Sequence, residues 1–172
     1  MTRLAHPRTG GMLALTLLIA LAPLFFSNAY HYDVAVNAMI NAVVCVGLNL
    51  LIGYGGQISL GHAGFFALGA YGSGVLTTRY GLPPLAALGA SAALVGLLSY
   101  AVGRPILRLK GHYLAMATLG IGIIIHIVLK TEAGITGGPD GLSLDTFALG
   151  GWAVAGEQTW YWVAGALLLL AV

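Results

Sequence analysis

Charge is what this chain has least of. Only seven of its 172 residues are Lys or Arg and five are Asp or Glu, 7% together, against about a quarter in an ordinary soluble domain. A water-soluble fold of this length needs more charge than that to cover its surface, so lipid must be the solvent for most of the chain. The single cysteine, Cys45, excludes an internal disulfide and leaves the redox compartment unread. A net charge of +2, with no basic cluster interleaved with aromatics, excludes a nucleic-acid partner.

The chemistry-bearing motifs are missing as well. There is no HExxH and no CxxC, and neither Lys110 nor Lys130 follows the glycine pattern of a phosphate-cradling loop. Ser59 and His62 stand one turn apart, but without a nucleophile elbow or a neighbouring carboxylate to orient the imidazole. His112 and His126 would lie about 21 Å apart on one helix, too far to share a metal. The chain is expected to be no enzyme and to hold no cofactor of its own, so any energy from ATP must come from another chain.

What is abundant is apolar and small: 59% hydrophobic residues and 26 glycines. Membrane helices tolerate glycine because small residues let two backbones approach. Uncharged runs long enough to cross about 30 Å of hydrocarbon cover residues 11–26, 34–52, 60–78, 82–102 and 113–129. Another begins near Trp160 and is still apolar at Val172. The expected fold is therefore an all-α, polytopic membrane bundle of about five complete helices plus the start of a sixth. Residues 1–172 are read as the N-terminal part of one transmembrane domain.

If the N-terminus is cytoplasmic and the segments alternate, Arg3, Arg8, Arg104, Arg108 and Lys110 fall inside and only Arg79 and Lys130 outside. That is the asymmetry of the positive-inside rule. The acids Asp33, Glu132, Asp140, Asp145 and Glu157 all fall outside. The first segment, followed by Ser27-Asn28-Ala29, also has the form of a cleavable secretory signal; a retained first helix is the plainer reading. Pro105 removes a backbone donor and should end the fourth helix. Arg104, Arg108 and Lys110 form a basic cytoplasmic loop that sits against the inner leaflet or a partner, or serves topology alone. The outer stretch Thr136-Gly137-Gly138-Pro139-Asp140-Gly141 is turn chemistry, with Pro at the second turn position, Asp at the third and Gly at the exit. Trp152, Trp160, Tyr161 and Trp162 after it read as an interfacial aromatic belt.

Candidate functional residues are polar groups at membrane depth. Asn37, Asn41 and Asn49 recur at multiples of four on the second segment and should face into the bundle, as interhelical hydrogen-bonding glue or as a wall of a solute path. The stretch Gly53-Tyr54-Gly55-Gly56-Gln57-Ile58-Ser59-Leu60-Gly61-His62-Ala63-Gly64 carries five glycines and no charge. Irregular backbone at membrane depth survives only where protein or water satisfies it, and broken helices of this kind mark solute sites in transporters. Gln57, Ser59 and His62 would line such a path; Gly53, Gly55, Gly56, Gly61 and Gly64 would permit the break and the close packing. A tight surface loop remains the alternative. The small stripes Ala63, Ala67, Ala70, Gly74 and Ala86, Gly89, Ala93, Gly96 read as packing seams.

The stretch GYGGQISLGHAGFFALGAY from Gly53 to Tyr71 resembles the permease subunits of bacterial branched-chain amino acid ABC transporters, most closely the LivM type. RLKGHYLAMAT from Arg108 to Thr118 and TGGPDGL from Thr136 to Leu142 agree in order and spacing. The resemblance covers about residues 37–144. It implies a permease subunit in the bacterial inner membrane, paired with a second permease subunit, driven by two cytoplasmic ATPases that bind ATP, and fed Leu, Ile or Val by a periplasmic binding protein. Related permeases share the glycine theme, so urea or a short amide is the alternative solute; an intramembrane enzyme or a structural membrane protein is a more distant one. The family's ATPase-docking loop lies further toward the C-terminus, and nothing like it occurs here, so the sequence is expected to stop before it.

Overall fold

The computed structural model describes residues 7–144, 148–149, 152–153 and 156–172. Arg3 and Asp145 lie outside the described residues, as do the side chains of Arg8 and Trp152. The architecture is helical: α1 (Pro7–Leu21), α2 (Ala29–Gly55), α3 (His62–Tyr80), α4 (Pro84–Ile106), α5 (His112–Thr131), the single turn α6 (Ala133–Thr136) and α7 (Glu157–Ala171). A two-residue antiparallel pair, β1 (Ala148–Leu149) with β2 (Trp152–Ala153), is the only extended structure among the described residues. Helices α2, α4 and α5 are long and apolar enough to cross a membrane, and a shorter apolar helical stretch covers Gly10–Phe25. Each apolar run of the sequence has become a helix, and the boundaries moved by a few residues. The chain is an integral membrane protein of the all-α class.

The chain divides into two compact units. The first contains α1, most of α2, and α7. Its core is Ile19, Met39, Tyr161, Ala164 and Leu168, with Phe26 and Tyr32 packed against it. Pro23 ends α1 by depriving the Ile19 carbonyl, four residues back, of its helical donor, and the chain tightens into a 3-10 turn over Ala22–Phe25. The buried Tyr161 hydroxyl donates to that carbonyl at 2.7 Å. Phe26, Tyr32 and Tyr161 meet edge to face, with centroids 4.9 to 5.8 Å apart, the geometry that ring quadrupoles favour. Gly165 lets α7 approach α1: a methyl group there would sit 2.9 Å from Ile19 Cγ2.

The second unit contains the end of α2, then α3 through β2. Helix α3 closes on Gly81 at φ +61°, and Leu82 N–H reaches back to the Leu76 carbonyl at 3.2 Å. This is the glycine-terminated cap expected where a helix must stop sharply, and Pro83 and Pro84 then open α4. The α3–α4 seam differs from the small-residue pattern of the sequence. Ser91 donates to the Gly69 carbonyl at 2.8 Å, Ala87 is fully buried, and a methyl on Gly72 would strike Ser91 Oγ at 2.6 Å. Ala86, Gly89, Ala93 and Gly96 are exposed instead. The reason is angular: helix rotation places Ala87 and Ser91 on the face toward α3, and the alanine-glycine stripe one position away. Pro105 stands in the last turn of α4, which ends at Ile106.

Candidate solute path

Helix α2 runs straight through Gly53 and Gly55 and stops at Gly56, whose φ of +60° is a left-handed conformation that only glycine adopts freely. The chain is then irregular until α3 begins at His62. The two ends of this interruption behave differently. Gly53, Gly55 and Gly56 are exposed, and no backbone or side chain from elsewhere crowds them. Gly61, by contrast, is buried against α5: a methyl on it would lie 2.2 Å from the Thr118 carbonyl oxygen. Gly64 also packs on Gly122: a methyl there would lie 3.1 Å from the Gly122 Cα. The Leu60 N–H donates to Thr118 Oγ1 at 3.1 Å, and that hydroxyl donates in turn to the Ala115 carbonyl at 3.0 Å. Thr118 thus satisfies a backbone donor inside the irregular segment. Gln57, Ser59 and His62 are half-buried in and beside it.

The register sets the geometry above the break. Gly61 meets the Thr118–Gly122 turn and Gly64 meets Gly122 and Ile125, so α3 and α5 advance together and run parallel. Between them lies an open cleft of about 630 Å³. Its floor is Leu60 and Leu119, its apolar walls are Ala67 on one side and Ile123 on the other, and Tyr71, His126 and Lys130 stand toward its far end. Gly138 and Pro139 close that end.

The closing turn is built around Thr136. Its buried hydroxyl lies 2.6 Å from the Leu129 carbonyl and 2.9 Å from the Glu132 carbonyl, and accepts from Gly138 N–H at 3.2 Å. Gly137 and Gly138 are both left-handed, at φ +79° and +60°. A methyl on Gly137 would collide with the Gly141 carbonyl at 1.9 Å. Gly141 N–H donates to the Gly138 carbonyl at 3.3 Å across Pro139 and Asp140, the second and third positions of the turn. Arg79, at the end of α3, donates to the Gly134 carbonyl and ties α3 to α6 at this level. Beyond the turn, Leu142 and Leu144 pack on Gly74.

The asparagines of α2 bond within their own helix where their partners are seen. Asn37, Asn41 and Asn49 are exposed on this chain. The Asn37 amide donates to the Asp33 carbonyl at 2.9 Å and the Asn41 amide to the Asn37 carbonyl at 2.8 Å, each one turn back on its own helix. Neither forms an interhelical hydrogen bond here. Arg104, Arg108 and Lys110 are exposed on and after the last turn of α4, with the Arg104 guanidinium 5.8 Å from the Tyr100 ring centroid. Sequence reasoning passed over Thr118, Gly122, Tyr71 and His126 as site residues. Gly122 carried a signal, being a glycine in a helix otherwise rich in Ile and Leu; Thr118 and Tyr71 lay at the ends of motifs already singled out.

Long apolar helices, with the connection between α2 and α3 docked on α5 beside an open cleft, define the class as a polytopic helical membrane protein. The chain belongs to the family described as branched-chain amino acid transport system, permease component, whose model matches residues 30–172. It is similar to the high-affinity branched-chain amino acid transport system permease protein LivM of Salmonella typhimurium strain LT2, 42% identical over 132 residues, covering 74% of this chain and 30% of the relative. The LivM protein of Escherichia coli strain K12 is 41% identical over the same length and the same shares. The chain therefore spans about 30% of the length of these curated relatives. No solved structure matches.

Proposed function

We propose that this chain contributes the N-terminal helices of a permease subunit in an ATP-driven importer, and that the solute is a branched-chain amino acid. One structural observation supports the reading above the others: the break between α2 and α3 is docked by Gly61 on Gly122 and by Leu60 on Thr118, beside a cleft between helices. This is the arrangement transporters use to bring backbone groups to a solute at membrane depth. Membership of the family and the printed role of the LivM relatives supply the solute class. On this reading the partners are a second permease subunit, two ATPases that bind and hydrolyse ATP, and a periplasmic binding protein. The host membrane is the bacterial inner membrane with the N-terminus cytoplasmic, which places Arg104, Arg108 and Lys110 beside the ATPases or the inner leaflet.

Reconstitution of the full-length permease with its co-encoded partners in proteoliposomes tests this. ATP-dependent accumulation of radiolabelled leucine that requires the binding protein is the expected result. Accumulation of urea or a short amide in place of leucine, or none of any solute, overturns it.

A further inference from the structure

The apolar cleft between α3 and α5 has a chemical polarity that runs along its length. The floor and walls are Leu60, Leu119, Ala67 and Ile123; the polar side chains of the lining are those of Tyr71, His126 and Lys130, toward the end closed by Pro139. Its volume of about 630 Å³ falls in the range of small-molecule sites, which are mostly apolar with a few placed polar groups. Tyr71 stands ten residues beyond Gly61. Because the two helices advance in step, at 1.5 Å per residue it comes level with about Lys130, roughly 15 Å above the break.

The charges lining the cleft are one-sided. Among the described residues lining it, Lys130 is the one charged side chain. A lysine ammonium recognises a carboxylate through charge-assisted hydrogen bonds. His126 stands one turn before Lys130 on the same helix face, where i and i+4 side chains come about 5–6 Å apart. In its neutral form its imidazole accepts a hydrogen bond from an ammonium donor. A donor for carboxylate and an acceptor for ammonium, side by side above an apolar trough, match the head of an α-amino acid and its aliphatic tail. The position of His126 is consistent with this: an ionisable side chain within a membrane helix is costly unless it faces a cavity.

We infer that this cleft is a station for a zwitterionic aliphatic amino acid, with Lys130 and Tyr71 on the carboxylate, His126 on the ammonium, and the side chain against Ile123 and Leu119. The inference rests on the transport reading above and gives it a place in the chain. It is separate from Gln57, Ser59 and His62, which belong to the break below.

The test uses the full-length permease with its partners in proteoliposomes, at saturating binding protein. Lys130→Gln is expected to lower the maximal rate of radiolabelled leucine uptake at least tenfold, with the concentration of binding protein for half-maximal rate unchanged; Lys130→Arg is expected to restore most of the rate. In a Cys45→Ala background, Ile123→Cys is expected to react with a small maleimide at least threefold more slowly when leucine-loaded binding protein and ATP are present. Wild-type uptake with Lys130→Gln and no protection at Ile123→Cys overturns the cleft while leaving the transport reading standing. Absence of leucine uptake by the wild-type assembly overturns both. Uptake lost alike in Lys130→Gln and Lys130→Arg, without leucine protection, marks a structural or lipid-binding cleft and overturns the inference.

Discussion

Gly61 at the mouth of α3 and Gly122 in the middle of α5 meet backbone to backbone: a methyl on Gly122 would lie 3.0 Å from the Gly61 Cα, and one on Gly61 would lie 2.2 Å from the Thr118 carbonyl oxygen. No side chain stands between the two backbone segments at this point, so nothing there can yield to an added group. The hydrogen bond from Leu60 N–H to Thr118 Oγ1 depends on that closeness.

Gly61→Ala is therefore expected to force the helices apart and to lower the unfolding free energy of the full-length protein by about 1–3 kcal/mol, the usual range for overpacking. Gly53→Ala is the contrast. Gly53 lies inside α2 with nothing within 4 Å, and replacing a helix-interior glycine by alanine is neutral or stabilising by up to about 1 kcal/mol. Equilibrium unfolding in bicelles checks both. Equal effects at the two positions would contradict the close approach.

Tyr161 and Pro23 act on the same carbonyl. Proline withholds the donor that Ile19 would have had, and the Tyr161 hydroxyl supplies another at 2.7 Å. Tyr161→Phe should cost about 0.5–2 kcal/mol, in line with hydrogen bonds measured inside membrane proteins. In a Pro23→Ala background, where residue 23 regains its N–H, the same change should cost less. The double-mutant cycle is the measurement, and a cycle that closes with no coupling would contradict the shared carbonyl.

The TGGPDG turn hangs on Thr136. Thr136→Val removes the acceptor for Gly138 N–H and the donor to the Leu129 or Glu132 carbonyl, a loss of about 1–3 kcal/mol for buried partners left unpaired. Thr136→Ser keeps both. Hydrogen exchange at the Gly138 amide is expected to accelerate at least tenfold in the valine variant and to stay near wild type in the serine variant.

The helical segments were legible in the sequence because hydrocarbon thickness and hydropathy act on every residue of a span and the signal accumulates. Helix rotation about its own axis was not. A stripe of small residues marks a face capable of close packing, but α4 turns Ala87 and Ser91 to α3 and leaves Gly89 and Gly96 exposed, a choice made by the α3 surface it meets. The bonds of the α2 asparagines were not legible for a related reason: a side-chain amide one turn from a carbonyl of its own helix can bond there, as Asn37 and Asn41 do, and periodicity says nothing of that competition. The glycine stretch was legible as the place where one helix ends and the next begins. Which half of it packs depended on Thr118 and Gly122, more than fifty residues away in sequence.

Orientation carries a prediction of its own. With Cys45→Ala, a single cysteine at Arg108 and another at Asp140 would be probed in intact cells with an impermeant thiol reagent. The proposed topology, which rests on the distribution of Lys and Arg, gives labelling at position 140 and none at 108. The reverse pattern would invert it.

The most direct measurement is leucine uptake by the full-length permease carrying Gly61→Leu, assembled with its partners and matched for expression to wild type. If α3 must dock on α5 for the break to serve the solute, uptake falls to background while Gly53→Ala transports normally and the binding protein's affinity for leucine does not change. Wild-type uptake with Gly61→Leu would contradict the docked interruption as part of the solute path.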